Sequence, residues 1–182
     1  VALADLSALE EGGMHGVLVE NWKDSSHAPF VDPKVADAMA SIVKAVVMAA
    51  SVPVGVNVLP NDYRAALDIA VKTGASFVQL DVFSDEVRTQ YVDSSVSPFE
   101  IHVDRNLVGA WRRRLGADGV ALVTTVHPSH HTLLNREWSL EDSTRAAIDG
   151  GADAVVVTGT IRGEAPTVAR VEAVRRAAGD VP

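Results

Sequence analysis

The stretch VKTGASFVQLDVF, from Val71 to Phe83, holds one whole structural unit. Gly74 stands where a helix ends, because a residue without Cβ enters the left-handed conformation that closes a last turn at no steric cost. Two small residues follow. The run from Phe77 to Phe83 is then apolar enough to be a strand buried on both faces. The same grammar returns in LEEGGMHGVLVEN from Leu9, RRLGADGVALVTTVH from Arg113 and IDGGADAVVVTGT from Ile148. PVGVNVL, beginning at Pro53, adds a fifth strand.

Amphipathic helices separate these strands. Val35, Ala38, Met39, Ile42, Val43, Val46, Val47 and Ala50 keep the three-and-four spacing of one apolar stripe. Shorter stripes run through Tyr63, Leu67, Ala70 and Val71, through Leu107, Ala110, Trp111 and Leu115, through Leu140, Thr144, Ala147 and Ile148, and through Val168, Val171 and Val174. Asp32-Pro33 is a cap followed by a first-turn proline, and Ser139 to Asp142 has the capping-box pattern. Arg112 to Arg114 place cations in a last turn, where the helix dipole favours them.

Strict alternation of doubly buried strands with helices predicts an α/β fold with a parallel sheet covered by helices. No G-x-G-x-x-G follows any strand, which weighs against a dinucleotide-binding open sheet and favours a (β/α)8 TIM barrel. A barrel takes eight strands in about 250 residues. Only five are visible, so residues 1–182 read as a single barrel domain lacking some of its strands, with two open edges. A second copy covering those edges, a homo-oligomer, is expected. Residues 84–105 show no helical stripe and read as an irregular, lid-like insertion in which Tyr91, Phe99 and His102 cover a ligand or pack against another subunit.

Composition narrows the function. Hydrophobic residues make up 47% and charged residues 22%, too apolar for disorder. Sixteen Lys plus Arg against twenty-four Asp plus Glu give a net charge of −8, which repels nucleic acid and anionic membranes. No apolar run approaches the ~20 residues of a membrane span, so membrane insertion is not expected. The absence of cysteine excludes disulfides, thiol catalysis and Cys-type metal centres. The first residues have neither the basic flank nor the apolar core of a signal peptide, which makes the cytoplasm the default location.

In parallel α/β folds ligands bind where the strands end. Two-residue alternation puts Leu18 with Glu20, Gly55 with Asn57, Gln79 with Asp81, Val123 and Thr125 with His127, and Val156 with Thr158. Glu20, Asn57, Asp81, His127 and Thr158 thus form one polar ring, a pattern that core packing does not produce. Polar barrel mouths are common, but carboxylates placed together need a purpose. His127 is the expected proton carrier, with Asp81 or Glu20 as its partner. Pro128 after it predicts an extended backbone at His127. Asn21, Gln79, Thr125 and His130 stand beside the ring as substrate contacts. Thr158, Gly159, Arg162 and Gly163 belong to a glycine-bearing loop ahead of a helix, fit for a phosphate or carboxylate. No metal-ligand set stands out. His130 and His131 make the segment HPSHH, in which an i, i+3 pair can bind metal but has no rigid helix or third fixed ligand; a divalent metal on His127 with Asp81 or Glu20 is the other arrangement, and the cofactor stays unassigned.

GVLVENWKDSSHAPF from Gly16, PVGVNVLPNDYRAALDIAVKTGASFVQLDVF from Pro53, VHPSHH from Val126 and DAVVVTGTIRGEAP from Asp153 together resemble the successive blocks of the BtpA/SgcQ family. The match runs from about Leu9 to Val181. It implies a TIM barrel in which these five strands are the second to sixth of eight, with the first and the last two lying outside residues 1–182. The family is named for photosystem I biogenesis, and other members sit in sugar-utilisation or biosynthetic contexts. After Phe83 this chain departs from the family pattern, reading SDEVRTQYVDSSVSPFEIHVDRN where members carry a glycine and a Val-Thr-Asp-Gln-Gly-like run. Asp81 stands where members commonly have Asn. Two functions follow: an enzyme using acid/base chemistry (lyase, isomerase or glycosyl transfer) on a small, polar, phosphorylated sugar or nucleoside-like metabolite, or a non-catalytic assembly factor of the photosystem I biogenesis type.

Overall fold

A computed structural model describes residues 1–21, 28–90 and 97–182. In chain order the elements are α1 (Ala2–Glu11), β1 (Val17–Glu20), α2 (Pro33–Ala49), β2 (Val54–Asn57), α3 (Tyr63–Thr73), β3 (Phe77–Leu80), β4 (Val87–Thr89), β5 (Glu100–Ile101), α4 (Arg105–Arg114), β6 (Ala121–Val126), β7 (His131–Leu133), α5 (Leu140–Asp149), β8 (Ala154–Val157) and α6 (Val168–Ala178). The larger sheet has the order β1-β2-β3-β6-β8. The five expected strands therefore sit side by side in sequence order. An open doubly wound sheet reverses direction at a switch point; a sheet that never reverses is wound like the (β/α)8 barrel. Among the described residues, no helix is long and apolar enough to cross a membrane.

Two compact units divide the chain. The first comprises Val1–Gln79 with Trp111–Ala121, the second Leu80–Ala110 with Leu122–Pro182. In the first, β1 pairs with β2 from Val17↔Val54 to Glu20↔Asn57, and β2 pairs with β3 at Gly55↔Phe77. Leu6, Val17, Val46 and Val54 form a buried cluster, so Val17 and Val54 face the helices. Each such side chain contributes about 1.5–3 kcal/mol on burial. Leu18, Gly55 and Phe77 point to the other face by alternation. A Cβ on Gly55 would lie 2.1 Å from Cε2 of Phe77, so only glycine lets that ring lie across β2.

The expected caps form. The Asp32 side chain accepts from the Lys34 N–H with Pro33 in the first turn, and Asp62 caps α3. Gly74 closes α3 at φ 84°, and Gly13, Gly116 and Gly151 of the other repeats also have positive φ. The α2 stripe is narrower than expected: Met39, Val43 and Val46 are buried, whereas Ile42 is exposed.

In the second unit β6 pairs with β8 from Val123↔Ala154 to Val126↔Val157. α5 carries the full Ser139–Asp142 capping box, and Leu140, Ser143, Thr144 and Ala147 are its buried face. The stripe expected in α4 is displaced. Val108 is the buried residue there, while Leu107 and Ala110 are exposed. In α6 only Val174 of the expected three valines is buried.

Residues 84–105 are not simply irregular. β4 pairs antiparallel with β5 and with β7, and Val82, Val87 and Ile101 form a cluster against Phe99, Val103 and Leu133. The strands escape notice in the sequence because they are two or three residues long and alternate apolar with charged side chains. Phe99 is thus a packing residue, and His102 is exposed between Glu86 and Glu100, 3.3 Å from each. Tyr91 lies outside the described residues.

Candidate functional site

β6 ends at Val126, and His127 leaves it at φ 46°, left-handed rather than extended. A non-glycine residue there is strained, and such strain persists only where neighbours enforce it. The enforcing neighbour is Asp85, which is 1% exposed. Its Oδ2 accepts the His127 backbone N–H at 2.7 Å, and its Oδ1 accepts the Ser143 hydroxyl from α5. This bond overrides the extended preference that Pro128 imposes. His127 Nε2 lies 3.8 Å from Asp85 Oδ1 and, among the described residues, has no hydrogen-bond partner. Burial pushes the imidazole pKa below its ordinary value; the Asp85 carboxylate opposes this and the Arg170 guanidinium reinforces it. The ring is thereby biased to the neutral form, the form that accepts a proton.

Asp81, expected beside His127, instead meets His130: His130 Nε2 is 3.2 Å from Asp81 Oδ2. The His131 N–H donates to the Pro128 carbonyl at 3.2 Å, and this turn swings the His130 ring to within 4.2 Å of the His131 ring. His131 is fixed by strand pairing opposite Thr89. Burial and the neighbouring His130 push its pKa down to about 4. Asp81, His130 and His131 each offer a donor atom within 4.8 Å of the others.

Arg170 locks the loop after β8, its Nε donating to the Thr158 carbonyl at 3.1 Å. Thr158 Oγ1 accepts the Ser129 N–H at 3.3 Å, and Thr160 Oγ1 donates to Glu164 Oε2 at 3.4 Å. A Cβ on Gly159 would meet the Glu164 carbonyl oxygen at 2.4 Å, so the loop closes on itself through that glycine. Arg162 and Gly163 are exposed at its tip, and Gly163 has φ 87°. Thr125 is buried in β6.

In the first unit the register sets Glu20 beside Asn57, and one step beyond Val56↔Val78 places Gln79 level with Asn57. Glu20 is exposed, Gln79 half-buried and Asn57 buried. Asn21 supports the backbone instead. Its Oδ1 accepts the Leu59 N–H at 2.8 Å, holding Leu59 at φ 53°. Leu59 and His127 are the two non-glycine residues with positive φ among the described residues. Both lie just past a strand end, and a side-chain oxygen from another element holds each amide.

Sequence reasoning missed Asp85, Ser143, Arg170 and His131. Asp85 sits in a short acidic run with no periodicity to single it out. Ser143 and Arg170 read as ordinary helix residues. His131 was visible in HPSHH, but the turn that aims its ring beside His130 is a backbone event with no residue signature of its own.

The sequence profile described as the BtpA family matches residues 1–182. The chain is 33% identical over 182 residues to the photosystem I biogenesis protein BtpA of Synechocystis sp., covering 98% of this chain and 60% of that protein. It is 32% identical over 163 residues to an uncharacterized protein of Thermococcus kodakarensis, covering 89% and 58%. The putative sgc region protein SgcQ of Escherichia coli is 26% identical over 176 residues, covering 97% and 62%. The chain thus spans about 60% of the length of these relatives. Among solved structures, the FabK (M276A) mutant from Thermotoga maritima superposes with a TM-score of 0.50 at 18% identity, covering 81% of this chain and 39% of that one. At that identity the likeness is one of fold.

Proposed function

Because the chain belongs to the BtpA family, we propose that it is an enzyme of the (β/α)8 type in which His127 moves a proton on a small, polar, phosphorylated sugar or nucleoside-like metabolite. The observation that carries this reading is the strained His127 at the end of β6, tied by its amide to the buried Asp85. Backbone strain and a buried carboxylate both cost stability, and both collect where chemistry needs a side chain aimed. Asp85 holds the His127 backbone, and so aims the ring that exchanges a proton with a ligand. Arg162 and the glycine-bearing loop beside Thr158 take an anionic group. Lyase, isomerase and glycosyl-transfer steps all use a neutral imidazole in this way. In this reading the protein acts in the cytoplasm as a homo-oligomer.

The test is a thermal-shift screen against sugar phosphates and nucleosides, followed by turnover assays on whichever class stabilises the fold. A ligand that binds only the native state must raise its melting temperature. His127→Ala is expected to abolish turnover while leaving the melting temperature of the free protein nearly unchanged. Equal turnover in that variant removes His127 from the mechanism. The name of the Synechocystis relative favours a second reading, a non-catalytic assembly factor of the photosystem I biogenesis type. That reading expects no small-molecule stabilisation, a protein partner, and tolerance of change at His127.

A further inference from the structure

We propose that Asp81, His130 and His131 form a binding site for one divalent transition-metal ion. His131 is 7% exposed, and both its ring nitrogens are buried with no hydrogen-bond partner among the described residues. A neutral imidazole carries one donor and one acceptor; the His130 backbone approaches this ring as an acceptor, but nothing among the described residues answers its acceptor nitrogen. A Lewis acid beside the ring answers the acceptor nitrogen. Beside it stand a carboxylate and a second imidazole, whose donor atoms lie within 4.8 Å of one another and of His131.

The spacing suits an ion. Zinc holds nitrogen and oxygen donors at about 2.0–2.2 Å, so two donors of a tetrahedral shell stand roughly 3.4 Å apart. Asp81 Oδ2 and His130 Nε2 are 3.2 Å apart. The frame is also fixed: Asp81 follows β3 directly, His131 begins β7, and the Pro128–His131 turn brings both imidazoles to one side. Two imidazoles with one carboxylate select zinc, cobalt, iron or nickel over magnesium and calcium, which take oxygen shells. Three protein donors leave a coordination position open, as in catalytic rather than structural sites. The site does not depend on the proton-transfer role of His127, which is not among its donors.

The experiment is a cobalt titration of chelator-stripped protein, read by visible absorption, with zinc and magnesium as competitors. One equivalent of cobalt per chain, displaced by zinc and unaffected by excess magnesium, is expected. His130→Gln and Asp81→Asn change half-exposed side chains and should weaken binding at least tenfold, a loss seen even when a group that merely orients a metal ligand is changed. His131→Gln should do the same, with circular dichroism in chelator reporting whether it folds. His102→Gln is the control, because His102 is an exposed histidine between Glu86 and Glu100 that is not among the proposed donors. Retained binding in that control, and in His127→Gln, supports the assignment. No bound cobalt, binding unchanged in His130→Gln and Asp81→Asn, or binding lost in His102→Gln would each overturn it. None of these readouts uses turnover, so failure here leaves the role of His127 standing.

Discussion

Replacing Asp85 by alanine strands two donors at once. The carboxylate is 1% exposed, its Oδ2 takes the His127 N–H at 2.7 Å, and its Oδ1 takes the hydroxyl of Ser143, itself fully buried. A buried donor left without a partner costs about 1–3 kcal/mol. The Ser143 hydroxyl has an escape, since it can turn back to the carbonyl of Ser139, the N-cap of α5 four residues earlier. The His127 amide has none, because its position is set by β6. The sum expected for Asp85→Ala is therefore about 2–4 kcal/mol. Asp85→Asn should cost less, about 1–2 kcal/mol. It keeps one acceptor for the His127 amide, lets the amide NH2 donate to Ser143, and removes a buried charge whose desolvation opposes folding. Urea denaturation followed by circular dichroism measures both variants, and adding Ser143→Ala to each completes a double-mutant cycle. With Ser143 gone, the gap between alanine and asparagine should shrink. An Asp85→Ala protein within about 0.5 kcal/mol of the parent, the spread of an ordinary surface change, would refute the account of His127 as a residue held in place by Asp85.

Three further outcomes follow from the same geometry. His127→Gly should be more stable than His127→Ala by roughly 0.5–1 kcal/mol, because alanine bears the left-handed cost and glycine does not; equal stabilities would mean that the residue relaxes to negative φ. The folded His127 pKa lies below the unfolded one, so near pH 6.5 and below the unfolded chain takes up the proton first and stability falls as pH falls; His127→Gln should flatten that slope, and proton NMR should show Asp85→Asn lowering the pKa further by removing a carboxylate that raises it. Thr124 is fully buried with a hydroxyl that has no partner among the described residues, so Thr124→Val should raise stability by about 1 kcal/mol, and a loss of that size would place an unseen partner at the hydroxyl.

Much of the architecture was legible in the residues. The glycine closing each repeat, the apolar run after it and the caps at Asp32 and Ser139 are local features, decided within a few residues of chain, and each forms as read. The misreadings fall where burial depends on what an element is laid against. Val108 rather than Leu107 turns inward in α4, and Val87–Thr89 exists as a strand because Glu100–Ile101 and β7 are there to pair with it on either side.

The candidate site divides along the same line. Alternation along a strand is a property of the chain itself, so Glu20 beside Asn57 could be placed from sequence, as could His127 and Thr158 just past their strand ends, whereas the strand register sets Gln79 rather than the expected Asp81 level with Asn57. Which carboxylate meets which imidazole could not. Asp85 reaches His127 across 42 positions and Asp81 reaches His130 across 49, in one of several pairings the residue types allow equally well. Sequence fixes the period of an element and the chemistry it carries. Partner choice between elements is made by the folded backbone, because a left-handed residue at 127 and a tight turn at 128–131 aim side chains in directions that residue identity leaves open.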